Sequence, residues 1–217
     1  MTTSTTSTRD QPIDAVLCDI DGVIRFYDTA EVTRLEEAAG LPAGTTAAVG
    51  FAPENDLPLL LGQITREQWA RSIARDLGTR VPSTQAQALA KAFTESSFWA
   101  DEAVVGLLRQ VREHRPVVLV TNATPWLDED LELLGLADLA DSVVNSSRVG
   151  VAKPDPRIYE MAAEEAGVRA DRCLFVDDRQ ENTDAAGALG MATVLYRTAG
   201  DLREALAQVM PGDAAPC

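Results

Sequence analysis

Short apolar runs alternate with longer segments of helical periodicity along most of the chain. Five runs rich in β-branched residues predict β-strands, at residues 14–20, 116–122, 142–147, 172–178 and 191–196. Amphipathic helical spacing separates the later runs, at about 101–114, 126–135, 155–166 and 180–189. Gly135, Gly167 and Gly190 stand where three of these helices should end. The alternation predicts an α/β fold, with a parallel sheet covered by helices on both faces.

The first two predicted strands are much farther apart in the sequence than the later ones. Roughly 90 residues without a strand-like run separate them, whereas a simple crossover needs about a dozen or more. Helical spacing recurs inside this gap, at residues 29–40, 65–78 and 83–99. Thr65 and Ser83 are the expected N-caps of the last two helices. We expect residues 43–58 to form an irregular, mobile connection, and the whole segment 28–98 to be an inserted helical domain.

The predicted core domain consists of residues 13–27 and 99–210, on either side of this insert. The first residues are polar and rich in Thr and Ser, without an apolar segment. Residues 1–12 are therefore expected to be a disordered leader and not a secretory signal. Residues 211–217 are expected to be a flexible tail.

The charge and the cysteines limit the classes of partner and location. A formal net charge of −15 at pH 7 argues against binding to nucleic acid or to an anionic membrane surface, because both depend on Lys and Arg. No apolar run approaches the roughly 18 residues of a membrane span. Cys18, Cys173 and Cys217 are widely spaced and suggest neither a disulfide framework nor a zinc site. We expect a cytoplasmic protein with a small-molecule partner; the sequence does not indicate the oligomeric state.

Polar and charged side chains cluster where the predicted strands end. In open α/β sheets, ligands bind beyond the carboxyl ends of the strands. These positions supply four carboxylates, one ammonium group and a hydroxyl–amide pair: Asp19, Asp21, Asp177, Asp178, Lys153, Thr121 and Asn122. In a parallel sheet all of them converge on one edge, which is the candidate site.

This set of side chains favours a particular chemistry. Four neighbouring carboxylates repel one another unless a cation joins them, and hard oxygen ligands without His or Cys suit Mg²⁺. A site with Mg²⁺ and Lys153 suits a dianionic phosphate, whose transfer requires positioning and charge neutralisation. One aspartate can be the nucleophile, and the other can be the general acid and base.

The chain resembles the haloacid dehalogenase superfamily of aspartate-nucleophile hydrolases. Four motifs of that family occur in order, as "CDIDGVI", "VLVTNAT", "VAKPDPRIY" and "CLFVDDRQENTDAAGALGM". The resemblance covers about 14–22 and 101–197. It implies a Rossmann-like core, and the insert between the first two motifs is similar to the small α-helical cap of the C1 type that closes over the substrate.

The resemblance also implies a role for each motif residue. Asp19 is expected to be the nucleophile and Asp21 the acid/base. Thr121 is expected to hold the phosphoryl oxygen with help from the backbone of Asn122. Lys153 is expected to neutralise both Asp19 and the phosphate.

The implied metal ligands are Asp19, Asp178 and Asp177, together with Asp21, whose backbone carbonyl is expected to reach Mg²⁺. Contacts with the substrate are expected from Asn122 and from three residues that follow the acidic motif: Gly22, Arg25 and Phe26. Gly22 also allows the chain to turn tightly towards the cap.

The expected activity is Mg²⁺-dependent hydrolysis of a small phosphorylated metabolite, such as a sugar phosphate. Three alternatives stay open. A 2-haloacid dehalogenase of this superfamily would need neither metal nor the second aspartate, so Asp21 favours a phosphatase. A phosphomutase retains both aspartates and is less well excluded. A non-catalytic module that binds a phosphorylated ligand is disfavoured because both aspartates are present.

Overall fold

The computed structural model describes residues 12–207 and 209, and it confirms the predicted α/β fold. Its strands are β1 (Ala15–Cys18), β2 (Arg25–Tyr27), β3 (Phe98–Ala100), β4 (Val117–Thr121), β5 (Ser142–Asn145), β6 (Cys173–Asp177) and β7 (Ala192–Leu195). The helices of the insert are α1 (Ala30–Ala38), α2 (Thr45–Gly50), α3 (Pro53–Leu60), α4 (Arg66–Leu77) and α5 (Ser83–Thr94). The helices of the core are α6 (Glu102–Arg112), α7 (Leu127–Leu133), α8 (Ser146–Val149), α9 (Pro156–Glu165), α10 (Gln180–Ala188) and α11 (Ala199–Leu206).

The central sheet is parallel and has the strand order β5-β4-β1-β6-β7. All four residues of the middle strand β1 are fully buried, and their side chains alternate between two apolar clusters. Val16 and Cys18 pack with α6, α7 and α11, whereas Ala15 and Leu17 pack with α9 and α10. Helices on both faces explain why the strands read as continuous apolar runs.

The insert holds a third apolar cluster of its own, built mainly from α3, α4 and α5. The chain enters and leaves this segment through the antiparallel pair β2–β3, in which Phe26 lies opposite Trp99. The prediction that the whole gap lacks strands is therefore wrong. Each strand has only three residues and pairs with a partner about 70 positions away, so neither leaves a local periodic signal.

The expectation of an irregular connection at 43–58 is wrong, because this segment forms α2 and α3. Helix α2 begins where Glu36 of α1 accepts hydrogen bonds from the backbone N–H groups of Gly44 and Thr46, at 2.8 and 2.6 Å. Helix α3 has Pro53 at its first position, where the missing N–H costs no helical hydrogen bond. The remote cap from Glu36 is invisible to local sequence patterns.

Several local predictions can be checked directly. Thr65 is the N-cap of α4 within a capping box, as predicted, but the N-cap of α5 is Pro82 and not Ser83. The predicted leader, apart from Pro12, and the predicted tail at 211–217 lie outside the described residues. None of the helices in the described part of the chain is long and apolar enough to cross a membrane.

Candidate active site

The carboxyl ends of the neighbouring strands β4, β1 and β6 gather at one edge of the sheet. Asp19 directly follows β1, and its backbone N–H donates to the carbonyl of Val176 on β6 at 2.9 Å. Thr121 and Asp177 are the last residues of β4 and β6. Lys153 reaches this edge from the loop before α9. The structure therefore brings together residues from all four motifs.

Lys153 is a buried cation between two buried carboxylates. Its Nζ lies 2.7 Å from Asp19 Oδ1 and 2.7 Å from Asp177 Oδ2, and its side chain is 1% exposed. Burial alone would lower the pKa of Lys153, but the two carboxylates outweigh it and raise this pKa above its ordinary value. Lys153 therefore stays charged and holds the two carboxylates at a fixed separation.

The two oxygens of Asp19 have different surroundings. Oδ1 accepts hydrogen bonds from the backbone N–H of Ile20 and from Lys153 Nζ, both at 2.7 Å. No donor among the described residues bonds to Oδ2. Burial raises the pKa of Asp19 to about 7, against the opposing charge of Lys153. A second cation at the site would favour the charged form that a nucleophile requires.

Asp177 is held by Asn182, which was not among the predicted site residues. The Nδ2 of buried Asn182 donates to both oxygens of Asp177, at 2.9 and 3.0 Å, and the backbone N–H of Arg179 donates to Oδ1 at 2.9 Å. Asn182 lies on the first turn of α10. Asn182 follows Asp177 by five residues, at the start of the helix after β6, and its side chain reaches back to the end of that strand. This position directly after the acidic motif was the available sequence signal.

Three carboxylates lie close enough to share one cation. Asp19, Asp177 and Asp178 each offer an oxygen, and these oxygens lie within 4.8 Å of one another. Burial and the neighbouring Asp177 raise the pKa of Asp178. Gly22 makes room for this group: its φ is +83°, and a Cβ atom there would lie 2.5 Å from Asp178 Oδ2. Three carboxylates around one lysine form a donor set that fits a divalent cation.

The side chains of Thr121 and Asn122 have different environments: the first has no partner among the described residues, and the second binds the backbone of Lys153. The hydroxyl of Thr121 is buried and has no hydrogen-bond partner among the described residues, so a ligand oxygen would satisfy it. The side chain of Asn122 binds the backbone of Lys153 from both sides, accepting from its N–H at 2.7 Å and donating to its carbonyl at 2.9 Å. Asn122 thus fixes the loop that carries the lysine.

The side chain of Arg25 is too buried for the expected substrate contact, whereas the contact expected of Phe26 stays a prediction. Arg25 is 1% exposed, and its guanidinium binds Asp21 and Asp130. Phe26 is half-buried and stacks on Trp99, with ring centroids 6.1 Å apart. The carboxylate of Asp21 faces Arg25 and lies outside the group of three carboxylates that could share a cation.

The insert contacts the core beside the strand ends. A Cβ atom on Gly62, which follows α3, would overlap the backbone oxygen of Ser147, so the insert and the core pack closely there. The guanidinium of Arg66 lies 4.4 Å from the ring centre of Trp126. A cleft of about 550 Å³ lies between the segment that includes Arg66 and the segment that includes Trp126.

Comparisons with known proteins identify the family. The model of the haloacid dehalogenase-like hydrolases matches residues 13–190, so the chain belongs to this family and is a hydrolytic enzyme. Phosphatase MT3486 from Mycobacterium tuberculosis is 30% identical over 210 residues, which cover 88% of this chain and 91% of that protein. The GMP/IMP nucleotidase YrfG from Escherichia coli is 26% identical, with 88% and 86% covered.

Solved structures support the same fold. A haloacid dehalogenase family enzyme from Bacteroides thetaiotaomicron, in complex with magnesium and inorganic phosphate, superposes with a TM-score of 0.64. It is 23% identical, and the match covers 85% of this chain and 94% of that one. L-2-haloacid dehalogenase from Xanthobacter autotrophicus has a TM-score of 0.60 at 21% identity, over 94% and 85% of the two chains. The family prediction made from the four motifs is confirmed.

Proposed function

We propose that this enzyme is a Mg²⁺-dependent phosphatase that hydrolyses a small phosphorylated metabolite through an aspartyl-phosphate intermediate. The observation that carries the proposal is the environment of Asp19. Its Oδ1 is fixed by Lys153, its Oδ2 has no donor among the described residues, and the unpartnered hydroxyl of Thr121 lies at the end of the neighbouring strand. A nucleophile, a cation and an oxygen-binding hydroxyl are what phosphoryl transfer to a carboxylate requires.

Asp19, Asp177 and Asp178 would hold the metal ion, together with the backbone carbonyl of Asp21. The three carboxylates outnumber the single buried lysine among them, which supports a divalent cation with oxygen ligands. When bound, Mg²⁺ would neutralise charge on the phosphoryl oxygens. The Bacteroides relative binds magnesium and phosphate on the same fold.

The residues of this chain would divide the reaction into two steps. In the first, Asp19 attacks phosphorus, the bond to the leaving oxygen breaks, and Asp21 gives its proton to that oxygen. In the second, Asp21 takes a proton from water, which attacks phosphorus and releases Asp19 and inorganic phosphate. Lys153 and the hydroxyl of Thr121 bind the phosphoryl oxygens, with help from the backbone of Asn122.

A sugar phosphate or a similar metabolite is the substrate class that we propose. The relatives MT3486 and YrfG are named as a phosphatase and a GMP/IMP nucleotidase, which supports a small phosphate ester. We also propose a cytoplasmic location, which the buried free thiols of Cys18 and Cys173 support.

The decisive experiment is a panel of sugar phosphates, nucleoside monophosphates and an aryl phosphate, assayed for phosphate release with Mg²⁺ or with EDTA. We expect turnover that requires Mg²⁺ in the wild type and none in Asp19→Asn, with unchanged circular dichroism. Chloride release from a 2-haloacid in EDTA would instead support a dehalogenase. Binding of phosphate esters without any release would support a binding module.

A further inference from the structure

Arg25 is the largest fully buried side chain among the described residues, and all its polar contacts are with carboxylates. Nε donates to Asp21 Oδ1 at 2.6 Å and one Nη donates to Asp21 Oδ2 at 2.9 Å. The other Nη donates to Asp130 Oδ2 on α7 at 2.8 Å. The guanidinium of Arg25 therefore binds both carboxylate oxygens of Asp21, and this bidentate geometry fixes the orientation of the carboxylate.

The aromatic rings of the β2–β3 pair complete the enclosure of this arginine. The guanidinium carbon lies 5.2 Å from the ring centre of Tyr27 and 5.5 Å from that of Phe98. The backbone of Arg25 is also fixed. Its carbonyl accepts a hydrogen bond from the backbone N–H of Gly22 at 3.0 Å, and its own N–H donates to the carbonyl of Ile20 at 2.8 Å. The turn that carries the acidic motif thus holds both partners of the ion pair.

Arg25 is buried, whereas its partner Asp21 is partly exposed and can therefore contact a substrate. The side chain of Arg25 is 1% exposed, whereas that of Asp21 is 36% exposed. Arg25 approaches Asp21 from the interior, so the outer edge of the carboxyl group remains accessible. Burial of the Arg25 guanidinium makes this pair a weak source of stability, since desolvation of the arginine offsets much of the attraction. Fixing the direction of Asp21 is a better explanation for this costly arrangement.

We propose that Arg25 is a positioning residue that aims the carboxyl group of Asp21 at the leaving oxygen, with Asp130 holding Arg25 in place. The inference rests on the proposed phosphatase function. As the bond between phosphorus and the leaving oxygen breaks, the proton of Asp21 passes to that oxygen. The resulting carboxylate regains its second hydrogen bond from Arg25, and it then accepts a proton from the attacking water.

The leaving group provides a test that a purely structural role would not pass. An alkyl phosphate needs a proton on its leaving oxygen, whereas 4-nitrophenyl phosphate departs readily without one. We expect Arg25→Gln to lose at least ~10-fold more kcat/KM on an alkyl phosphate than on 4-nitrophenyl phosphate. Arg25→Lys should recover part of this selective loss, because lysine can replace one of the two hydrogen bonds.

Two further variants keep the test decisive. Asp130→Asn keeps both Arg25 and Asp21 but removes the charge that holds Arg25, so it should show the same selective loss at smaller size. It also provides the test if Arg25→Gln does not fold. Arg112→Gln is the matched control, because Arg112 pairs with Asp141 away from the site; it should leave both esters unaffected. Equal losses on both esters in the Arg25 and Asp130 variants would overturn the inference. No hydrolysis of either ester by the wild type with Mg²⁺ would instead overturn the proposed phosphatase function.

Discussion

Replacement of Gly22 by alanine should separate the metal site from the stability of the fold. Gly22 has a φ of +83°, and a Cβ atom there would lie 2.5 Å from Asp178 Oδ2 and 2.8 Å from its Cγ. The left-handed backbone alone costs an alanine about 1–2 kcal/mol. The contact adds a second effect, because the carboxylate of Asp178 must move away from Asp19 and Asp177.

The two effects have different sizes and different measurements. For a chain of this length, a loss of about 1 kcal/mol lowers the melting temperature by roughly 2–4 °C. Displacement of a metal-binding carboxylate should weaken Mg²⁺ binding by about 10–100-fold, as disturbances around metal ligands commonly do. We therefore expect Gly22→Ala to melt a few degrees lower in EDTA, and to need a much higher Mg²⁺ concentration for half-maximal phosphate release.

Gly135→Ala is the matched control for this experiment. Gly135 has a φ of +67°, and apart from its two chain neighbours no described residue has an atom within 4 Å of the position of its Cβ. This variant should show a similar loss of melting temperature with an unchanged Mg²⁺ requirement. If Gly22→Ala and Gly135→Ala required the same Mg²⁺ concentration as the wild type, Asp178 would not be a metal ligand and the reasoning would fail.

Three further changes test the electrostatics of the interior. Lys153→Met leaves Asp19 and Asp177 without their shared cation, so we expect the activity to be lost and the free energy of unfolding in urea to fall by about 3–5 kcal/mol. Mg²⁺ should restore part of this stability. Burial raises the pKa of Asp56 from 3.8 to about 6. The cost of its charge therefore develops as the pH rises from about 4 to about 6 and is complete above that range, so Asp56→Asn should gain ~1–2 kcal/mol near pH 7.5 but little near pH 4. The hydroxyl of Tyr159 is buried without a partner among the described residues; Tyr159→Phe should match or exceed the wild type in melting temperature, and a clear loss would contradict this.

The parallel core could be predicted from the sequence because its signals are local. Each strand of the central sheet is an apolar run, and Gly135, Gly167 and Gly190 adopt the positive φ that ends a helix, as their positions predicted. The motif residues also follow from the topology, since parallel strands place their carboxyl ends at one edge. The grouping of Asp19 with Thr121 and Asp177 therefore follows from the parallel strands, whereas Lys153 reaches them from the loop before α9.

The remaining features depend on contacts between distant parts of the chain. Arg25 was expected to contact the substrate because it follows the acidic motif, but its guanidinium binds Asp130, which lies 105 positions away in the chain. Helix α2 begins at a cap from Glu36 on another helix. Neither contact has a periodic or nearest-neighbour signature, so only the folded arrangement reveals it. The limits of the cap and core domains remain predictions.

The central claim is that Asp19 forms a covalent bond to phosphorus. Its most direct test is rapid acid quenching during turnover of a phosphate ester with Mg²⁺, followed by mass spectrometry of the peptide that contains Asp19. We predict one added phosphoryl group on Asp19 at early times, which decays as free phosphate appears, and no such adduct in Asp19→Asn. Phosphate release by the wild type with an unmodified Asp19 at every quench time, or undiminished turnover by Asp19→Asn, would contradict the proposed mechanism.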